Sequence, residues 1–159
     1  MTYSGKPFPI LVSGEDETAS TELGDRGRAV LVIEDGVHLS LAFRSVCDCL
    51  SVVVEQISSR DELGGGLRDI RPMAVVAEME GAGQDGCHVL MTLAAYDPDL
   101  PVLLITGEDA ALVGAIDAVE EVWNLTSVTK WPRLLGIGPV VDFLFRAGRK
   151  GNCLGLMSV

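Results

Sequence analysis

Five polar residues carry the chemistry this chain offers: Glu34 and Asp35 side by side, then Glu78, Thr106 and Lys130. Each stands at or just past the end of a short apolar run of strand length. Carboxylates held close together repel one another and are stabilised by a divalent cation. A hydroxyl and an amine at the same place supply the donor and the positive charge that a phosphoryl group requires. The set therefore suits a site for a divalent ion such as Mg²⁺ and a phosphoryl group. Plainer roles compete at each position. An acid after a strand often caps the following helix, which Asp35 is placed to do; Thr106 stands in a similar place, and a single lysine is most often solvated.

The elements that must position these residues can be read from apolar patterning. Continuous runs rich in branched residues predict strands over Ala29 to Ile33, Val52 to Ile57, Met73 to Ala77 and Val102 to Ile105, with a short polar fifth over Thr126 to Thr129. Helical spacing predicts a first helix over Val37 to Leu50, where Leu39, Phe43, Val46 and Leu50 share one face. Three more helices are predicted over about Gly86 to Tyr96, Asp109 to Trp123 and Leu134 to Ala147. Ser59 and Glu62 make a capping-box pattern, but Gly64, Gly65 and Gly66 follow at once and predict a short or frayed helix there. Strand and helix thus alternate with short connections, the pattern of one doubly wound α/β domain. Sites in such sheets form beyond the carboxyl ends of the strands, where the five residues lie.

Over about Arg28 to Ala147 the chain resembles the receiver domain of two-component response regulators. The motifs are AVLVIED (Ala29 to Asp35), RPMAVVAEMEGAGQDG (Arg71 to Gly86), PVLLITG (Pro101 to Gly107) and VTKWP (Val128 to Pro132). The Asp85-Gly86 pair that closes the loop after the third strand is the most specific of them. The resemblance implies a flavodoxin-like, five-stranded parallel sheet of order 2-1-3-4-5 with helices on both faces. It implies that Glu34 and Asp35 form the acidic pocket, that these two with Glu78 are the Mg²⁺ ligands, and that Thr106 and Lys130 contact phosphoryl oxygens.

The resemblance also puts Glu78 at the phosphoacceptor position, where the family has Asp. The added methylene carries the carboxylate roughly 1.5 Å further into the pocket. Misplacement on that scale costs about a hundredfold in rate for an in-line transfer. Little or no phosphorylation is therefore expected at Glu78, whose carboxylate is placed to meet Lys130 and Thr106 instead. Two further departures stand in the fifth strand. Ser127 occupies the switch position, three residues before Lys130, where the family carries an aromatic ring. Trp131 separates Lys130 from Pro132, where the family joins its lysine directly to a proline, and this leaves the place of Lys130 open by one residue.

The chain has 159 residues and a formal net charge of −11, which argues against nucleic acid as a partner, because phosphate backbones are bound by neutralising them with Lys and Arg. No apolar run is long enough to span a bilayer, so no membrane partner is expected and a cytoplasmic location is. Cys47, Cys49, Cys87 and Cys153 show no zinc-site spacing and are expected as reduced thiols. Residues 1–27 are expected as a flexible extension around one apolar patch, Phe8 to Val12; residues 28–147 as the receiver-like domain; residues 148–159 as a tail. With no output module expected, the favoured function is that of an atypical single-domain response regulator, not an enzyme. It would act by contact with a protein, such as a sensor kinase or regulatory protein, or with a second copy as a homodimer. The expected surface is the fourth helix, fifth strand and fifth helix, bracketed by Trp123 and Trp131. One alternative is a Mg²⁺-dependent phosphoacceptor in a phosphorelay, using Glu78 or Asp85. Another is a flavin or nucleotide binder, against which the acids of Glu34-Asp35-Gly36 count, since a phosphate there needs amides and hydroxyls.

Overall fold

The structure is a computed structural model, and it describes residues 27–34, 36–79 and 86–151. Asp35, the loop containing Asp85, the Phe8 to Val12 patch and Cys153 lie outside the described residues. Within them the strands are β1 (Ala29–Ile33), β2 (Val53–Ile57), β3 (Ala74–Glu78), β4 (Val102–Ile105) and β5 (Val128–Trp131). The helices are α1 (His38–Cys49), α2 (Leu63–Ile70), α3 (Gly86–Tyr96), α4 (Ala110–Trp123) and α5 (Ile137–Gly151). All strand pairs are parallel and the order is β2-β1-β3-β4-β5, the flavodoxin-like arrangement expected. No described helix is long and apolar enough to cross a membrane.

Alternation along each strand sorts the side chains into two cores, one on each face of the sheet. Val30, Val32, Val76, Leu103 and Ile105 pack with Leu39 and Phe43 of α1 and with Val140, Phe143 and Leu144 of α5. Leu31, Ile33, Val75, Ala77 and Leu104 pack with Leu63 and Leu67 of α2, Val89, Leu90 and Leu93 of α3, and Ile116 of α4. Every residue of β1 and β4 is buried, whereas β2 is an edge strand whose Val53 is largely exposed.

The glycine-rich α2 is short, as expected, with 8 residues closed by Arg71 in the left-handed conformation, φ 52°. Each glycine costs about 1 kcal/mol relative to alanine, but full burial of Leu63 and Leu67 returns about 1.5–3 kcal/mol apiece. The strand β5 begins and ends two residues later than its polar sequence suggested, because burial of Trp131 sets its register. The helix α5 continues past Ala147 to Gly151.

Candidate functional site

The β1 end is organised by a capping problem. The first residue before α1 is Val37, whose apolar side chain leaves the helix's leading amides without an acceptor. Glu34 meets that need from outside the helix. Its Oε1 accepts from the Leu39 amide at 2.9 Å, and its Oε2 accepts from the Ser40 amide at 2.8 Å and the Ser40 hydroxyl at 2.7 Å. The carboxylate is buried, and the positive end of the helix compensates its charge. Glu34 thus caps the helix, and the capping role foreseen for Asp35 lies outside the described residues. Gln56 from β2 steadies the same loop by donating to the Gly36 carbonyl at 2.5 Å.

Pairing then brings the other strand ends alongside. Ile33 lies opposite Ala77, so Glu34 and Glu78 end neighbouring strands, and Glu78 lies opposite Ile105. Thr106 follows β4 and is buried; its amide donates to the Trp131 carbonyl at 2.9 Å. Its hydroxyl has two backbone acceptors in reach, the Gly107 carbonyl at 3.1 Å and the Trp131 carbonyl at 3.4 Å. Gly107 turns the chain with φ 71°, a conformation that suits glycine. Capping of α4 is done by Asp109, which accepts from the Ala111 and Leu112 amides at 3.0 and 3.2 Å, and not by Thr106. After the undescribed loop, Gly86 opens α3 so close to Met79 that a Cβ there would stand 2.7 Å from the methionine sulfur.

Lys130 is turned to the other face of the sheet. It pairs with Leu104, whose side chain faces α2, α3 and α4, and its ammonium follows to that face. There Nζ donates to Asp117 Oδ1 at 2.8 Å and to Glu120 Oε2, both on α4. Burial pushes the lysine's pKa down, but hydrogen bonds and charge from Asp117 and Glu120 outweigh it and hold it above the ordinary value. The neighbour Trp131 pairs with Ile105, which itself pairs with Glu78. Trp131 therefore shares the face of Glu78, at the strand end where the lysine was expected. It is 9% exposed and packs in the α1–α5 core, whereas Trp123 is 44% exposed.

Ser127 precedes β5, and its hydroxyl accepts from Lys150 Nζ; Val128 is the residue three before Trp131. The residue at this strand end that the sequence reading did not place there is Trp131, and the signal was its direct join to Pro132.

Among the described residues, which leave out Asp35, no group of three His, Cys, Asp or Glu is placed to hold a metal ion. A carboxylate offers about four acceptor positions, and Glu34 has filled three with donors from α1. Cys47 is buried in the α1–α5 core, and burial, then Asp48, pushes its thiol up to about 12.

Comparison with known proteins gives no matching family model. In sequence the chain is 35% identical over 83 residues to the C4-dicarboxylate transport transcriptional regulatory protein DctD of Pseudomonas aeruginosa, a match covering 52% of this chain and 18% of that protein. It is 27% identical over 93 residues to the protein of the same name from Rhizobium meliloti, covering 58% of this chain and 20% of the relative. The chain thus spans about a fifth of the length of these relatives. In structure it is similar to the beryllofluoride-activated NtrC4 receiver domain dimer, with a TM-score of 0.61, 12% identity, and coverage of 77% of this chain and 98% of that one.

Proposed function

From the premise that this chain has the fold of a response regulator receiver domain, we propose that it signals by protein contact, without phosphoryl transfer to Glu78. The observation that carries the reading is the register of β5. A receiver of phosphate needs an acceptor carboxylate and a cation aimed at the same oxygens. Here the acceptor position carries the longer Glu78, the matching strand end carries an indole, and the amine one residue earlier is held by two carboxylates of α4. Electrostatic stabilisation of a phosphoryl group is therefore missing on the side where Lys130 was expected.

The contact surface we propose is the exposed side of α4 beside the β5 edge. Val122 is 76% exposed and Trp123 44%, an apolar pair at the end of a helix whose sole buried residue is Ile116. Aromatic side chains of this kind are frequent anchors in interfaces. A second copy of the chain is the first partner to test, followed by a sensor kinase or other regulatory protein.

Beryllofluoride with Mg²⁺ supplies the test, because it mimics a phosphoryl group on a receiver acceptor without requiring transfer chemistry. Backbone amide spectra of the chain are expected to stay unchanged at Glu34, Glu78, Met79 and Thr106 when the reagent is added. Saturable shifts at those residues would overturn the proposal.

A further inference from the structure

The start of β5 and the last turns of α5 enclose a groove of about 250 Å³ at the end of the sheet opposite Glu78. Ser127, Thr129, Phe143, Arg146 and Lys150 line it. Lys150 donates to the Ser127 hydroxyl, and Arg149 stands in the same last turn. Carboxylates offset part of this charge: Arg146 Nε donates to Asp142 Oδ2 at 3.1 Å, and Thr126, also in the lining, donates to Asp99 Oδ1 at 2.6 Å. Even so, Arg146, Arg149 and Lys150 fall within five residues of a chain that has only 12 Lys and Arg and a net charge of −11.

We propose that this groove receives the chain's own acidic N-terminal segment, centred on Glu15, Asp16 and Glu17. Three observations converge. The first is charge: Glu15, Asp16, Glu17, Glu22 and Asp25 precede the described domain, and the groove is lined by Arg146 and Lys150, with Arg149 in the same last turn of α5, in a chain of net charge −11. The second is place. Because all strands are parallel, Gly27, which enters β1 by donating to the Arg71 carbonyl, lies at the same end of the sheet as Ser127. The third is reach. From β1 to β5 is three strand spacings, about 14 Å, whereas the ten residues from Glu17 to Gly27 span up to about 33 Å.

The tether decides between this occupant and a free anion. Half-exposed ion pairs are worth about 0–1 kcal/mol each, while even a millimolar ligand needs about 4 kcal/mol. A linked segment sits at an effective concentration in the millimolar range, so a few weak pairs suffice to hold it. Docked there, the segment covers the β5 and α5 side of the domain, next to the contact surface proposed on α4. It would regulate that surface by occupying its flank.

The chain has three lysines, Lys6, Lys130 and Lys150, which makes zero-length carbodiimide crosslinking of the full chain decisive. The reagent joins an amine to a carboxylate in direct contact, and Lys130 with Glu120 gives an internal control. The expected result is a peptide linking Lys150 to Glu15, Asp16 or Glu17 in the monomer band, lost in Glu15→Gln/Asp16→Asn/Glu17→Gln and weakened at about 0.5 M salt. The proposal is overturned if the Lys130–Glu120 link forms while Lys150 stays unlinked to that segment. It is equally overturned if the Lys150 links appear only in a dimer band, which would give the groove to a second copy. Either failure leaves the reading of Glu78 untouched, since the crosslink reports position and not phosphorylation.

Discussion

The ends of β1 and β5 were each expected to bring a polar residue to the site, and they reached opposite outcomes. At the end of β1, a polar residue expected at the site stays there, buried and bonded on both carboxylate oxygens to α1. At the end of β5, the polar residue expected at the site is turned to the other face and tied to α4, and a tryptophan takes its place. The difference lies in what fixes each strand. β1 has a partner on both edges and is buried at every position, so its register has no freedom. β5 is an edge strand of 4 residues with one partner, and a single large side chain decides which residues face which core. Since side chains alternate, an offset of one residue exchanges the faces of lysine and tryptophan, and with them a cation for an indole.

Substitutions can break this contrast, and the largest effect belongs to the residue that sets the β5 register. Trp131→Ala should lower unfolding free energy in denaturant titration by about 3–5 kcal/mol, as loss of a packed aromatic does. A loss below 1 kcal/mol would mean that Trp131 does not organise the strand. Glu34→Ala should cost about 2–3 kcal/mol, because it strips charged acceptors from two buried amides and a hydroxyl. Glu34→Gln should recover only part of this, since its amide group brings a donor toward donors.

Lys130→Met sharpens the contrast from the other side, with an expected cost of about 1 kcal/mol for partly exposed pairs. Its pH dependence is more telling than its size. The folded-state pKa of Lys130 lies above the ordinary 10.5, so its contribution is fully present below pH 10.5 and is lost as pH rises through the folded value. Stability curves of wild type and Lys130→Met should therefore converge in strong alkali. Curves that stay parallel there would show that the ammonium contributes nothing through Asp117 and Glu120.

Sequence patterning was sufficient for the central strands and for the order of elements, because β1, β3 and β4 are apolar on both faces. It was also sufficient to bring Glu34, Glu78 and Thr106 to one end of the sheet. It failed at β5, where Thr126 to Thr129 carry little apolar signal and Trp131 joins a core shared with α5 and with α1, the latter distant in sequence. It anticipated the shortness of α2 but not the burial of Leu63 and Leu67 that offsets its glycines, which is a tertiary effect. The capping role of Glu34 was hidden for a similar reason. An acid four residues before a helix looks like a ligand until the absence of a cap at Val37 is known.

The central claim is that this domain has the receiver fold without a working phosphoryl site. Its most direct test is intact mass after incubation with acetyl phosphate, with and without Mg²⁺, for wild type, Glu78→Asp, and Glu78→Asp combined with Trp131→Lys. The account predicts that wild type stays unmodified, and that Glu78→Asp, which restores the acceptor but not the cation, is labelled more slowly than the double variant. A Mg²⁺-dependent phosphoryl adduct on the wild-type chain would contradict it.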